Sequence, residues 1–332
     1  MKRVLTVTFA AALAAVLCAL TTARLPQGTT RAQSAQALRH RPVEVGEPDT
    51  IDHGMNPHRT DTGFLTAGGT GSLSPVSYHN GQLIQTPTAY VIWYGNWNRG
   101  NGTDTPAGQQ IVRDFLSSVG GSNYYKVNTT YSAGGYNISG NVTRSTREAA
   151  PGYSHGTSLS DATIQTIVKE AISSGALPAD TNGVYFVLTS SDVNESSGFC
   201  SRYCGWHTST SYTQTSNGRL RYSFVGNAAR CITSCAAQSV GPNGNAGVDG
   251  MISVVAHELE EANTDPDPLS GWADSGGAEN ADKCAWTFGS QQHTASNGAV
   301  YNMTLGARNY LIQRNLSATD NKCYINWVNR IQ

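Results

Sequence analysis

Residues 247–266 read GVDGMISVVAHELEEANTDP. Val248, Ile252, Val255, Leu259 and Ala262 recur at steps of four and three, the spacing of an apolar stripe on a helix packed against a core. Asp249 stands where it can cap the start, and Pro266 and Pro268 stop the helix near Thr264. At about 100° per residue, His257 and Glu261 fall roughly 40° apart, nearly opposite the stripe, on a face expected to lie outside the main core. Gly250, Ser253 and Thr264 share that face and are small or polar enough for something to approach it closely. The pattern differs by one residue from H-E-x-x-H, in which two imidazoles one turn apart reach a single metal and the intervening Glu serves as base. Glu261 takes the place of the second imidazole.

Two readings follow. In one, His257 and Glu261 point into a cleft and bind a divalent ion, while Glu258 acts as general base toward a water that the ion polarises. In the other, Glu258, Glu260 and Glu261 form a solvated acidic face and His257 is incidental. The stretch GWADSGGAENADKCAW at 271–286 shifts the balance toward the first, because Asp274, Glu279 and Asp282 in a Gly-rich loop are a source of the third ligand a catalytic zinc site needs. The expected set is His257, Glu261, Glu279 and Asp282. So many carboxylates make the donor set hard, which leaves zinc favoured and manganese or calcium as alternatives.

The helix segment, then GW, ENADKC and GAVYNM in that order, resembles the phosphate-induced or EXORDIUM family of secreted proteins. So do YHNGQLIQTPTAYVIWYGNW, FCSRYCGWH and SFVGNAARCITSCA upstream, in the same register, so the resemblance runs from about residue 75 to the end. It implies an extracellular or cell-wall protein linked in plants to growth and nutrient responses, and it supplies no reaction. The family pattern has Ala in place of Glu260 and Thr-Asn-Pro in place of Thr264, Asp265 and Pro266, departures that count against Glu260 and Asp265 as ligands.

The N-terminus bounds the compartment. Lys2 and Arg3, an apolar run over 4–20 and small residues up to Ala23 have the form of a secretory signal peptide, with an uncleaved anchor as the alternative. Residues 24–74, rich in Arg, Gln, Thr, Pro and Gly, read as a disordered leader or propeptide-like arm, and 75–332 as a single domain. Cleavage removes Cys18 of the seven cysteines, and an even count in an exported chain argues for disulfides. Cys200 and Cys204, with Cys231 and Cys235, pair among themselves by a local or a crossed route, which leaves Cys284 for Cys323. Seven N-x-S/T sequons, at Asn101, Asn128, Asn137, Asn141, Asn194, Asn302 and Asn315, read equally as glycan sites or as chance in a chain rich in Asn, Ser and Thr. With 22 basic against 23 acidic side chains there is no electrostatic case for nucleic acid, and no segment beyond the first is apolar enough to cross a bilayer.

Apolar and β-branched runs at 88–94, 184–189 and 220–225 predict strands, and 107–119 and 161–174 show helical spacing. The expected class is α/β (α+β): a mixed sheet with packed helices, a zincin-like metal-helix architecture and an irregular C-terminal part. Trp93, Tyr94 and Trp97 can stack on sugars but read better as core, and His207, close after Cys204, reads as structural. No G-x-S-x-G elbow is present. The functional expectation is a secreted metal-dependent hydrolase acting on a peptide or wall-associated substrate. Its rival is a non-catalytic extracellular or cell-wall binding or signalling protein with the same fold.

Overall fold

The computed structural model describes residues 74–332. The expected signal segment, Cys18 and nearly all of the expected leader therefore lie outside the described residues. The domain is organised on a five-stranded sheet. Its strands are β1 (Thr88–Tyr94), β2 (Thr143–Gly152), β3 (Gly183–Thr189), β4 (Gly205–Ser211) and β5 (Arg219–Val225), in the order β2-β1-β3-β5-β4. The neighbours from β2 to β5 run parallel, and β4 runs antiparallel to β5 along one edge.

The central strands are the ones the sequence predicts. TAYVIWY and GVYFVLT are apolar almost throughout because both faces of a parallel sheet are covered. The two edge strands escape the sequence reading. β2 is TRSTREAAPG, polar with a proline near its end, and it joins β1 through two register shifts; an edge tolerates all of these. β4 is GWHTSTS, and its small polar residues hide a strand that is buried from Gly205 to Ser209.

Helices α1 (Pro106–Ser118) and α2 (Asp161–Ser173) start where the sequence lets them. Thr105 caps the first by accepting from Gly108 N, with Pro106 just inside, and Ser160 caps the second by accepting from Thr163 N. Helix α3 (Ala246–Thr264) ends as expected at Thr264, but its cap is Asn245, which accepts from Val248 N at 3.2 Å. Asp249 instead sits inside the first turn and accepts from the backbone and side chain of Asn243 at 3.0 and 2.6 Å.

The main departure from the sequence reading is the environment of α3. From Gly247 to Thr264 every residue except the half-buried Gly250 is buried, so the face expected outside the core is inside it. A helix buried all round needs partners on every side. The apolar stripe meets the sheet and α1, and close approach elsewhere depends on small residues. A Cβ at Gly205 would lie 2.6 Å from Val254 Cγ1 and 2.8 Å from the Phe224 carbonyl oxygen, so glycine lets β4 settle onto the helix. A Cβ at Gly250 would lie 2.8 Å from Ala236 Cβ and 3.0 Å from the Cys235 carbonyl oxygen, so what approaches that turn is the half-cystine segment.

Three disulfides stitch these pieces together. Cys200–Cys231 and Cys204–Cys235 take the crossed route and tie the lead-in of β4 to the segment before α3. Cys284–Cys323 forms as expected. The C-terminal part is a run of short antiparallel pairs, the last being Asn315–Ser317 with Lys322–Tyr324. Among the described residues no helix is long and apolar enough to cross a membrane.

Candidate metal centre

Three elements bring ionisable side chains together around the second half of α3. The helix presents His257, Glu258 and Glu261, the edge strand β4 presents His207, and the turn before Cys284 presents Glu279 and Asp282. His257, His207, Glu258, Glu261 and Glu279 are 0–1% exposed, so the solvated acidic face of the alternative reading does not exist.

The helical spacing places His257 Nε2 2.9 Å from Glu261 Oε1, and Asp282 Oδ1 lies 3.4 Å from the same nitrogen. Asp282 N donates to Glu261 Oε1 at 3.0 Å, so the turn is clamped onto the helix at the carboxylate itself. The Gln313 amide meets His257 Nδ1 at 2.5 Å. An amide presents either end, and with its oxygen toward Nδ1–H the Nε2 lone pair is free for an ion.

On the other side of Glu261 lies His207. Its Nδ1 is 3.3 Å from Glu258 Oε2 and 3.6 Å from Glu261 Oε2, while its Nε2 donates to the Asp265 carbonyl at 3.1 Å. Glu279 Oε2 is 3.8 Å from that Nε2. The turn residues thus separate: Asp282 joins His257 and Glu261, whereas Glu279 joins the His207 side. Sequence reasoning set His207 aside as a structural histidine close after Cys204, and nothing in GWHTSTS announces the strand that carries it to the cluster. Its one usable signal was the nearby Cys204, which ties the strand's start to the segment before α3.

Burial dominates the electrostatics. It pushes Glu258 and Glu279 well above the usual carboxylate range and Glu261 up to about 7, with the Asp282 carboxylate adding to the effect on Glu261. It drives His207 down to about 4, so that imidazole is neutral. Burial opposes protonation of His257 too, but the adjacent Glu261 carboxylate and Asp282 outweigh it and hold His257 well above its usual value.

Buried polar atoms ordinarily find partners. Here Glu258 Oε1, Glu261 Oε2, Asp282 Oδ1 and both Glu279 oxygens have no hydrogen bond. Buried carboxylates are tolerated when paired or coordinated, and oxygen donors with imidazole fit a divalent cation of the zinc, manganese or calcium range. His257, Glu261 and Asp282 form one set with donor atoms close enough to share an ion, and His207, Glu258 and Glu261 form another.

The other acids near the helix have separate work. Glu260 Oε2 accepts from Tyr124 OH at 2.9 Å. Beside it Asn128, Asn280 and Asn315 form an amide network, in which Asn315 Nδ2 donates to Asn128 Oδ1 at 2.8 Å and Asn128 Nδ2 to the Glu260 carbonyl at 3.1 Å. The Asp265 carboxylate accepts from the backbone N–H groups of Leu269, Ser270 and Gly271 and shapes the loop after α3. Asp274 organises the following turn with Ser74 and Lys283.

The phosphate-induced protein 1 conserved region matches residues 76–325, which contain every residue of this cluster. The chain belongs to this family. It is 32% identical over 288 residues to Protein EXORDIUM-like 3 of Arabidopsis thaliana, covering 74% of this chain and 81% of that one. It is 30% identical over 285 residues to Protein EXORDIUM-like 5 of the same plant, covering 74% and 76%. Against Protein PHOSPHATE-INDUCED 1 of Nicotiana tabacum it is 27% identical over 218 residues, covering 58% and 65%. No solved structure matches the chain. For this EXORDIUM-like chain the family gives the fold its company and leaves the chemistry to the cluster.

Proposed function

We propose that this EXORDIUM-like protein works outside the cell, at the surface or wall, as a non-catalytic binding or signalling protein whose fold is organised by a buried divalent cation. His257, Glu261 and Asp282 would hold the ion, with zinc first and manganese or calcium next. Bound there, it supplies positive charge to the buried carboxylates and crosslinks α3 to the turn before Cys284. The observation that carries this reading is closure. Catalytic metal sites keep an open position, structural ones do not, and of the side chains around the ion only that of Asp282 shows any appreciable exposure, at 16%. Three disulfides support the extracellular setting.

The hydrolase reading keeps support at the site itself: Glu258 stands beside His257 with Oε1 unpartnered, as a general base would. The antiparallel edge strand β4 along α3 also supports a zincin-like likeness. Metal analysis of protein purified without chelators, next to His257→Ala and with assays on peptide and wall-glycan panels, tests both. Bound metal that His257→Ala removes, with no turnover, is the expected result. Turnover that Glu258→Gln abolishes while metal stays would establish the hydrolase instead. Protein that carries no metal and takes none up from zinc, manganese or calcium would sink both.

A further inference from the structure

Resting on the cation reading above, we infer that the cluster takes two divalent cations side by side, with Glu261 bridging them: Oε1 to the ion beside His257 and Asp282, Oε2 to a second ion beside His207 and Glu258. The geometry of Glu261 is the first reason. Its oxygens face different histidines, Oε1 at 2.9 Å from His257 Nε2 and Oε2 at 3.6 Å from His207 Nδ1, and Oε2 has no hydrogen bond although the residue is fully buried. A carboxylate held this way is placed to span two ions about 3.5–4 Å apart.

The second reason is His207 itself. The ring is surrounded by oxygen atoms of a kind that bind cations: the Asp265 carbonyl and Glu279 on the Nε2 side, Glu258 and Glu261 on the Nδ1 side. With Nε2–H committed to the Asp265 carbonyl, Nδ1 turns a lone pair toward carboxylate oxygens. A cation between Nδ1 and those oxygens would be coordinated from both sides, and the Asp265 hydrogen bond would then fix the tautomer in the manner usual for ligating histidines.

Charge supplies the third reason. Glu258, Glu261, Glu279 and Asp282 carry four negative charges when ionised, which two dications cancel.

The test loads the mature secreted protein with manganese(II) alone, by equilibrium dialysis. Two equivalents per chain and a spin-coupled paramagnetic resonance spectrum are expected. His207→Ala and Glu258→Gln should each fall to one equivalent with the six-line signal of an isolated ion, provided near-ultraviolet circular dichroism and disulfide mapping show the variant folded. One equivalent and a six-line signal in the unmodified protein would overturn the pair while leaving the single-ion reading in place. No manganese uptake at all would overturn the pair, and the zinc and calcium titrations above would then decide whether the single-ion reading stands. Since the unmodified protein alone separates these outcomes, a variant that fails to fold does not blunt the test.

Discussion

Removing the Cys284–Cys323 disulfide should cost more than removing Cys200–Cys231, and the difference can be worked from the chain. The first bond joins residues 39 apart, and closing such a loop in the unfolded chain is worth about 4 kcal/mol. Cys200–Cys231 spans 31 residues, but Cys204–Cys235 closes nearly the same loop beside it. With that neighbour intact, the extra loop is only about eight residues, worth about 2.5 kcal/mol. Paired Cys→Ala variants, unfolded in guanidinium with chelator present, measure both. The Cys284/Cys323 variant should lose about 4 kcal/mol, roughly 8–16 °C in melting temperature for a domain of this size, and the Cys200/Cys231 variant distinctly less. Metal affinity should weaken in the first, because Asp282 and Glu279 ride on the tethered turn, and hold in the second, where Cys204 still anchors β4. An inverted order, or a loss below about 1 kcal/mol for Cys284/Cys323, would refute the loop argument.

Arg221 on β5 is 3% exposed, and its Nη2 donates to Asp267 Oδ2 at 2.9 Å; Asp267→Asn should cost about 3 kcal/mol by leaving that cation buried without its counter-charge, read by chemical denaturation. Burial opposes ionisation of Asp267, but the Arg221 hydrogen bond and charge outweigh it and hold its carboxyl below the usual value. Its contribution is therefore present above the unfolded pKa and lost as pH falls through the folded one, so the variant should show a shallower acid limb than the parent. Gly205→Ala should destabilise the fold by about 1–3 kcal/mol and weaken metal binding, because the new methyl meets the Phe224 carbonyl oxygen and Val254; unchanged unfolding and metal titrations would contradict the close-packed edge. Expressed through a glycosylating host, Asn137 and Asn141, which are exposed, are acceptors open to glycans, whereas Asn128 and Asn315 are buried and should stay bare. A glycan at Asn128 in glycopeptide mass spectrometry would be incompatible with the amide network under α3.

The sequence by itself determined the elements whose residues answer to a local period. The run at 88–94, the stripe of α3 and the apolar side of α2 announce themselves because each buried side chain repeats at the spacing of its own backbone. The same holds for the turn of helix that brings His257 and Glu261 together, since four residues along a helix is a neighbourhood whatever surrounds it. The family was legible too, carried by several short segments in order.

Only the tertiary structure decided the environment of those residues. The face of α3 bearing His257, Glu258 and Glu261 is polar by composition, and a sequence has no way to register that β4 and the turn at 279–284 fold over it. His207 belongs to the cluster because β4 pairs with β5 at Ser223, opposite the histidine, a contact between distant parts of the chain that leaves no period in GWHTSTS. The separation of Glu279 from Asp282 onto opposite sides of Glu261, and the crossed pairing of Cys200 and Cys204, are likewise set by packing. Local spacing decides what can share a face, while burial, which fixes the charge and partners of every carboxylate here, depends on contacts among segments far apart in the chain.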